Sequence, residues 1–169
     1  LAPSIWPKFG LPDGSLIYLR CLIFLISLAS CAPRSGASLD RSIPLAQFKQ
    51  AVIKIQDKSL RVYIADKQPQ WQEGLMFIKK QELGPDEGMI FVFPESKNRY
   101  FWMKNTPLPL DIAYLREDGT IINILRMKPF DESTYPSAGP ARYAIETHAG
   151  WFAKNGVTPG AQFNLTQIP

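Results

Sequence analysis

Apolar and polar residues alternate with a period of two along much of the chain. The alternation is clearest over residues 53–56 and 60–65, which are separated by the polar Asp57-Lys58-Ser59. Successive side chains of a strand point to opposite faces, so this spacing predicts two half-buried strands joined as a hairpin. A second hairpin is predicted over residues 111–125, because Asp118-Gly119 supplies the positive φ angle that a tight turn needs.

The rest of the domain also reads mostly as short strands. Residues 89–93 are continuously apolar, which predicts a strand buried on both faces. Further strands are predicted over 99–103, 141–146 and 163–165, with a possible helical turn within 72–83 and a short helix over 151–155. Strands of this length separated by frequent turns predict a mainly β protein. We expect a single compact antiparallel β-sandwich or barrel-like domain with one or two short helices.

A different pattern occupies the first thirty residues. An apolar run over residues 22–26 follows Arg20 and ends in Leu28-Ala29-Ser30, immediately before Cys31. The run is much shorter than the roughly 20 apolar residues that span a bilayer, and its flanks are typical of a secretion signal. The final residues resemble a bacterial lipobox, so we predict that residues 1–30 are removed and that Cys31 is lipidated. An ordinary cleaved signal and an uncleaved anchor remain alternatives.

This interpretation divides the chain into three parts and predicts its location. Residues 1–30 form the signal region, residues 31–50 a flexible tether of small and polar residues, and residues 51–167 the domain. The protein is then exported to the cell envelope, and the lipid is its contact with the membrane.

Composition argues against several classes of partner. The chain has two cysteines, Cys21 and Cys31, and one histidine, His148, so we expect no metal site and no cofactor. The formal net charge is +4, but the charges are scattered along the sequence. Because nucleic-acid binders concentrate their basic residues, we expect no nucleic-acid partner.

Several motifs are similar to those of a known family. They are Gly74-Leu75-Met76-Phe77, Gly88-Met89-Ile90-Phe91, Phe101-Trp102-Met103-Lys104-Asn105-Thr106, Pro109-Leu110-Asp111-Ile112-Ala113 and Tyr135-Pro136-Ser137. Over about residues 52–166 the chain resembles the bacterial family called domain of unknown function 192. The resemblance implies a compact β-rich domain, common in secreted proteins, and brings no established activity or cofactor. Ile78 and Ala161 depart from the arginine and aspartate that many members carry, so we expect no site that depends on those charges.

The segment from Trp102 to Asp111 contains most of the candidate functional residues. Lys104 and Asp111 interrupt apolar sequence. Burying a lysine alone is costly, so Lys104 either has a partner such as Asp111 or reaches solvent. The pair either lines a ligand pocket or only fixes the fold of this segment. The predicted ligand-binding residues are Trp102, Met103, Lys104, Asn105, Asp111, Tyr135 and Glu146.

Three functions fit the sequence. The first is an envelope domain that binds a partner, a small molecule or a cell-wall fragment without catalysis. The second is a metal-independent hydrolase of an envelope glycan or ester, with Asp111 and Glu146 as its two carboxyl groups. The third is a structural or interaction module, which should expose an apolar patch. The sequence leaves enzymatic activity open and leans against it, because no nucleophilic serine lies in a glycine-flanked turn.

Overall fold

The structure is a computed structural model and describes residues 41–169, in which short strands predominate. The signal region, Cys21, Cys31 and the first part of the predicted tether lie outside the described residues. The strands are β1 (Lys49–Ile55), β2 (Lys58–Ala65), β3 (Glu87–Lys97), β4 (Tyr100–Phe101), β5 (Leu110–Leu115), β6 (Ile121–Met127), β7 (Tyr135–Pro136) and β8 (Ala141–His148). The α-helices are α1 (Gln68–Glu73) and α2 (Trp151–Lys154), and 3-10 turns cover Leu45–Gln47 and Lys80–Glu82.

Six of the strands form one sheet in the order β1-β2-β3-β8-β5-β6, and β4 pairs with β7. The mainly β class is confirmed. The sheet is mixed rather than antiparallel throughout, because β2 and β3 run parallel. A parallel pair needs a long crossover, which residues 66–86 provide with α1. Within residues 41–169 no pairing joins β1 to β6, so the sheet is open and does not close into a barrel.

Both predicted hairpins form, as β1–β2 and β5–β6. Gly119 adopts a φ of 84° in the second turn, as Asp118-Gly119 predicted. A Cβ on this glycine would also lie 2.4 Å from the carbonyl oxygen of Phe163, so the turn packs against the C-terminal segment. That segment makes only isolated bridges at Gln162 and Asn164 in place of the predicted last strand.

The large sheet separates two apolar clusters. Phe91, Ile112 and Tyr114 belong to the cluster on the face that also buries Leu75 and Met103. The opposite face packs its own apolar side chains against Trp151 and Phe152 of α2, and against Val157 and Phe163. Successive residues of a strand therefore pack into two different cores. The central strands are continuously apolar in sequence because both of their faces are covered.

Residues that were assigned to the tether also pack onto the sheet. Phe48 is buried, β1 begins at Lys49, and the guanidinium of Arg41 is bonded to backbone carbonyl groups of the crossover. The packed part of the chain therefore includes residues that precede position 51. No helix of residues 41–169 has the length and apolar character needed to cross a membrane.

Candidate functional site

Glu146 is an acidic residue buried in the middle of the large sheet. It lies on β8 opposite Met89 of β3 and Ile112 of β5, and only 4% of its surface is exposed. Burial disfavours the charged carboxylate and raises the pKa of Glu146 to about 8, while the positive charge of Arg41 acts in the opposite direction. The carboxyl group is therefore mostly protonated at neutral pH and is able to donate a hydrogen bond.

A small inner cavity of about 30 Å³ lies against Glu146. Its volume suffices for one or two water molecules or a group of similar size. The cavity is lined by Trp71, Gln72, Glu73, Gly74, Leu75, Met76, Phe91, Phe101, Trp102, Thr106 and Glu146. A Cβ on Gly74 would lie 3.3 Å from the ring of Phe91 and 3.9 Å from Oε2 of Glu146. The lack of a side chain at this position therefore keeps space open near the carboxyl group.

An outer groove of about 590 Å³ adjoins the inner cavity. It is lined by Gln68, Trp71, Gln72, Phe93, Asn98, Arg99, Tyr100, Phe101 and Trp102. Four of these residues, Trp71, Gln72, Phe101 and Trp102, also line the inner cavity. Tyr100 and Trp102 are 65% and 45% exposed, so the groove presents aromatic surface to solvent. The groove thus leads from an aromatic surface towards a buried acid.

The aromatic walls of the groove are held in place by their neighbours. The indole N–H of Trp71 donates to the carbonyl oxygen of Ala65 at 2.8 Å, and its ring lies 5.5 Å from that of Phe93. The rings of Phe91 and Phe101 meet edge to face with centroids 4.8 Å apart. These contacts favour a site that is formed before a ligand arrives, which lowers the entropy cost of binding.

Arg41 holds the backbone that covers Glu146. Its Nη1 donates to the carbonyl oxygens of Gly74 and Met76 at 2.9 and 2.8 Å. Its Nη2 lies 3.8 Å from the carboxylate of Glu73, which also accepts the backbone N–H groups of Ser42 and Ile43. The N-terminal end of the described chain therefore fastens α1 and the following loop over the inner cavity.

Of the seven predicted ligand-binding residues, the structure brings Trp102 and Glu146 together at the inner cavity. Met103 is fully buried in the core, and the backbone carbonyl of Asn105 accepts the N–H of Phe77. The hydroxyl of Tyr135 donates a hydrogen bond to Asp131 and accepts one from the backbone N–H of Lys128. These three residues line neither the groove nor the inner cavity.

Lys104 and Asp111 do not pair; of the two predicted alternatives for Lys104, the structure shows exposure to solvent. Asp111 lies directly opposite Arg126 in the β5–β6 hairpin and accepts a 2.6 Å hydrogen bond from its Nε. Asp111 also accepts the backbone N–H of Gly150 at 2.7 Å, just before α2. Lys104 is exposed instead, with its ammonium 5.1 Å from the centroid of the Trp102 ring. The lysine has no need of a buried partner because it remains in solvent.

The carboxyl pair proposed for a hydrolase is not assembled either. Asp111 pairs with Thr147 across β5 and β8, whereas Glu146 pairs with Ile112. Paired residues share a face and successive residues alternate, so Asp111 and Glu146 point to opposite faces of the sheet. His148 is also away from the groove, where its Nε2 lies 3.0 Å from the carbonyl oxygen of Leu83. Residues 41–169 contain no group of three or more His, Cys, Asp or Glu that is arranged to hold a metal ion.

Sequence reasoning missed several residues of the site, namely Arg41, Trp71, Gln72 and Gly74. Gly74 begins one of the family motifs, so its constraint was visible but its role beside Glu146 was not. Trp71 lies in a segment of ambiguous pattern, and Arg41 lies in the predicted tether. Their approach to Glu146 depends on the parallel crossover between β2 and β3, which no local pattern specifies.

The open mixed sheet, with its crossover helix and buried acid, defines a small β-rich domain with an aromatic groove. The chain belongs to the family domain of unknown function 192, whose model, described as uncharacterized ACR, matches residues 51–165. The predicted resemblance is confirmed.

Two solved structures are similar to the chain. One is a Sinorhizobium meliloti 1021 protein provisionally named a transcription regulator, 32% identical, with a TM-score of 0.67, covering 69% of this chain and 94% of that one. The other is a protein of unknown function from Novosphingobium aromaticivorans DSM 12444, 31% identical, with a TM-score of 0.66, covering 76% of this chain and 94% of that one. A search of curated proteins gave no match.

Proposed function

We propose that this domain binds a glycan of the cell envelope in the outer groove, without catalysis. The observation that carries the proposal is the aromatic groove that leads to a buried, uncharged acid. The faces of a sugar ring expose C–H groups, which pack favourably on the electron-rich faces of aromatic rings. Trp102 and Tyr100 present such surface at the mouth of the groove.

The polar residues of the groove suit a hydroxyl-rich ligand. Gln68, Gln72 and Asn98 carry amide groups that both donate and accept hydrogen bonds, as sugar hydroxyls require. The groove lining also includes the cationic side chain of Arg99. Its guanidinium lies 3.9 Å from the centroid of the Phe93 ring. Apolar walls with a few convergent polar groups are typical of ligand sites, and the positive charge disfavours a cationic ligand.

The geometry favours binding over hydrolysis. Asp111 lies on the other face of the sheet, and Glu73, the second acid of the inner cavity, already accepts the N–H groups of Ser42 and Ile43. Glycoside hydrolysis commonly needs two carboxyl groups on either side of the scissile bond. Glu146 is not accompanied by a second carboxyl group that is free to act.

Binding can be tested with wild-type protein, sedimented peptidoglycan sacculi and soluble trimers of glucose or N-acetylglucosamine. We expect cosedimentation with sacculi and a change in tryptophan fluorescence with a trimer. Trp102→Ala should weaken binding by about tenfold or more, as for a central aromatic anchor. Phe130→Ala is the matched control, because Phe130 is 62% exposed but lines neither the groove nor the inner cavity. Equal binding by both variants would remove the groove from the proposal, and a wild-type protein that binds neither sacculi nor trimers would overturn it.

The envelope location is part of the same proposal. It is supported by the apolar run over residues 22–26 and by the small residues before Cys31, which resemble a lipobox. Cells that express the full chain should incorporate a labelled fatty acid into the wild-type protein and not into Cys31→Ser. Label that survives the substitution would rule out lipidation at this cysteine.

A further inference from the structure

The inner cavity defines which part of a sugar enters beneath the groove. Resting on the proposed function, we propose that it receives the carbonyl group of the acetamido substituent of an N-acetylated sugar, and that the Glu146 carboxyl donates a hydrogen bond to the carbonyl oxygen. The ligand class is therefore an acetamido sugar rather than a plain hexose. The sugar ring would remain in the outer groove, against Trp102.

Size is the first argument for a small group. The inner cavity has a volume of about 30 Å³, whereas the outer groove has about 590 Å³. A sugar ring does not fit in a space for one or two water molecules, but a carbonyl group does. The shared lining by Trp71, Gln72, Phe101 and Trp102 means that a ring in the groove can direct a substituent inwards.

The chemistry of the cavity is the second argument. Its walls combine apolar side chains, among them Leu75 and Phe91, with polar ones such as Thr106 and Glu146. The carboxyl group of Glu146 faces this space, and a ligand that supplies a hydrogen-bond acceptor can bind to it there. An acetamido group combines such an acceptor with a methyl group that can pack on the aromatic side chains shared with the outer groove.

The charges around Glu146 favour a neutral ligand over an amine. Arg41 and Tyr114 interact electrostatically with Glu146, from the N-terminal segment and from β5 respectively. Glu73 and Glu82 act on the guanidinium of Arg41, from α1 and the 3-10 turn that follows it. A free amine placed beside Glu146 would approach the positive charge of Arg41, whereas a carbonyl oxygen would be attracted by it.

The experiment compares the trimer of N-acetylglucosamine with the trimers of glucose and glucosamine by titration calorimetry between pH 6 and 9.5. We expect the acetylated trimer to bind at least about tenfold more tightly than the glucose trimer at pH 6. Ionisation of Glu146 would replace the donor by a carboxylate that repels the carbonyl oxygen. The preference of the wild-type protein should therefore fall by about tenfold between pH 6 and pH 9, because the pKa of Glu146 is about 8.

Glu146→Gln is the decisive variant, because its amide keeps a donor and does not titrate. It should retain the preference for the acetylated trimer, and this preference should not fall between pH 6 and pH 9. A cooperative urea unfolding transition checks that the variant is folded. Equal affinity of wild-type protein for the acetylated and glucose trimers would overturn the inference and leave glycan binding in the groove intact. Preference for the glucosamine trimer, with proton release on binding, would also overturn it. Failure of the wild-type protein to bind any trimer or sacculi would overturn both proposals.

Discussion

The guanidinium of Arg41 donates a 2.9 Å hydrogen bond to the carbonyl oxygen of Gly74, 33 residues further along the chain. The same group donates to Met76. Burial raises the pKa of Glu146, and the positive charge of Arg41 opposes that rise. One side chain therefore fixes the loop over the inner cavity and also limits the rise in the pKa of Glu146 beneath it.

Replacing Arg41 should affect both properties. Arg41→Met leaves two carbonyl oxygens without their donor, so we expect a loss of about 1–3 kcal/mol in the free energy of unfolding. The pKa of Glu146 should rise above about 8, because the opposing positive charge is lost. Urea unfolding and a carbon-13 NMR titration of the carboxyl group measure the two effects. Arg61→Met is the control, since Arg61 pairs with Glu87 and has a side chain 58% exposed. An unchanged Glu146 pKa in Arg41→Met would contradict the assigned charge interaction.

Stability should depend on pH through Glu146. Burial holds its pKa at about 8 in the folded protein, above its ordinary value of 4.5. The folded protein thus keeps a proton that the unfolded chain releases, so this contribution is complete below pH 4.5 and is lost as the pH rises to about 8. The expected loss is of the order of 5 kcal/mol. In Glu146→Gln the free energy of unfolding, measured with urea at pH 5 and pH 8.5, should not show this loss. An equal loss in the wild-type protein and the variant would show that Glu146 does not cause the pH dependence.

Asp111 should stabilise the end of the β5–β6 hairpin and the start of α2. Its carboxylate accepts hydrogen bonds from Arg126 and from the N–H of Gly150. Asp111→Ala should cost about 2–3 kcal/mol in the free energy of unfolding, because a buried acceptor of two hydrogen bonds is lost. Arg126→Ala should cost less, since the Arg126 side chain is 60% exposed. Lys104→Met should unfold like the wild-type protein, and a large loss there would restore the pairing with Asp111 that the structure excludes.

Tyr135 should control the acidity of Asp131. The Tyr135 hydroxyl donates to Asp131 at 2.7 Å, and this bond is the largest cause of an Asp131 pKa of about 2. Tyr135→Phe should raise that pKa towards its ordinary value of 3.8, which a carboxyl NMR titration would detect. In the wild-type protein the associated stabilisation is complete above pH 3.8 and is lost as the pH falls through about 2. Tyr100→Phe removes a hydroxyl that makes no bond to Asp131, and should leave the titration unchanged.

The local parts of the fold were predictable because local rules determine them. The alternation of apolar and polar residues predicts β1 and β2, and Asp118-Gly119 predicts the turn between β5 and β6. Counting outward from that turn does not give the partner of Asp111, because the register shifts between Tyr114 and Leu115 and this irregularity brings Asp111 opposite Arg126. Lys104 is nearer to Asp111 in sequence and lies among apolar residues, but nearness in sequence does not determine which face a side chain occupies, and Lys104 is exposed.

The site itself was only partly predictable. Trp102 and Glu146 stood out by residue type, but their meeting depends on a sheet order in which β8 lies between β3 and β5. Trp71 reaches the same place through a crossover whose direction is set by packing of the whole domain, and Arg41, which precedes β1, is bonded to that crossover. Such long-range pairings are specified by the sum of many apolar contacts rather than by a motif, so the sequence gives no local sign of them.

The central position of β8 has a consequence for how the protein is made. During synthesis, β3 and β5 emerge from the ribosome well before β8, which contains residues 141–148 and must insert between them. Until then both strands have unpaired edges that are prone to join other chains. Because pairings between distant strands form slowly, nascent chains that stop before residue 141 should be a preferred target of chaperones. Insertion of β8 completes the sheet and brings Glu146 to its cavity in the same step, so a chain that has completed its sheet has also completed its site.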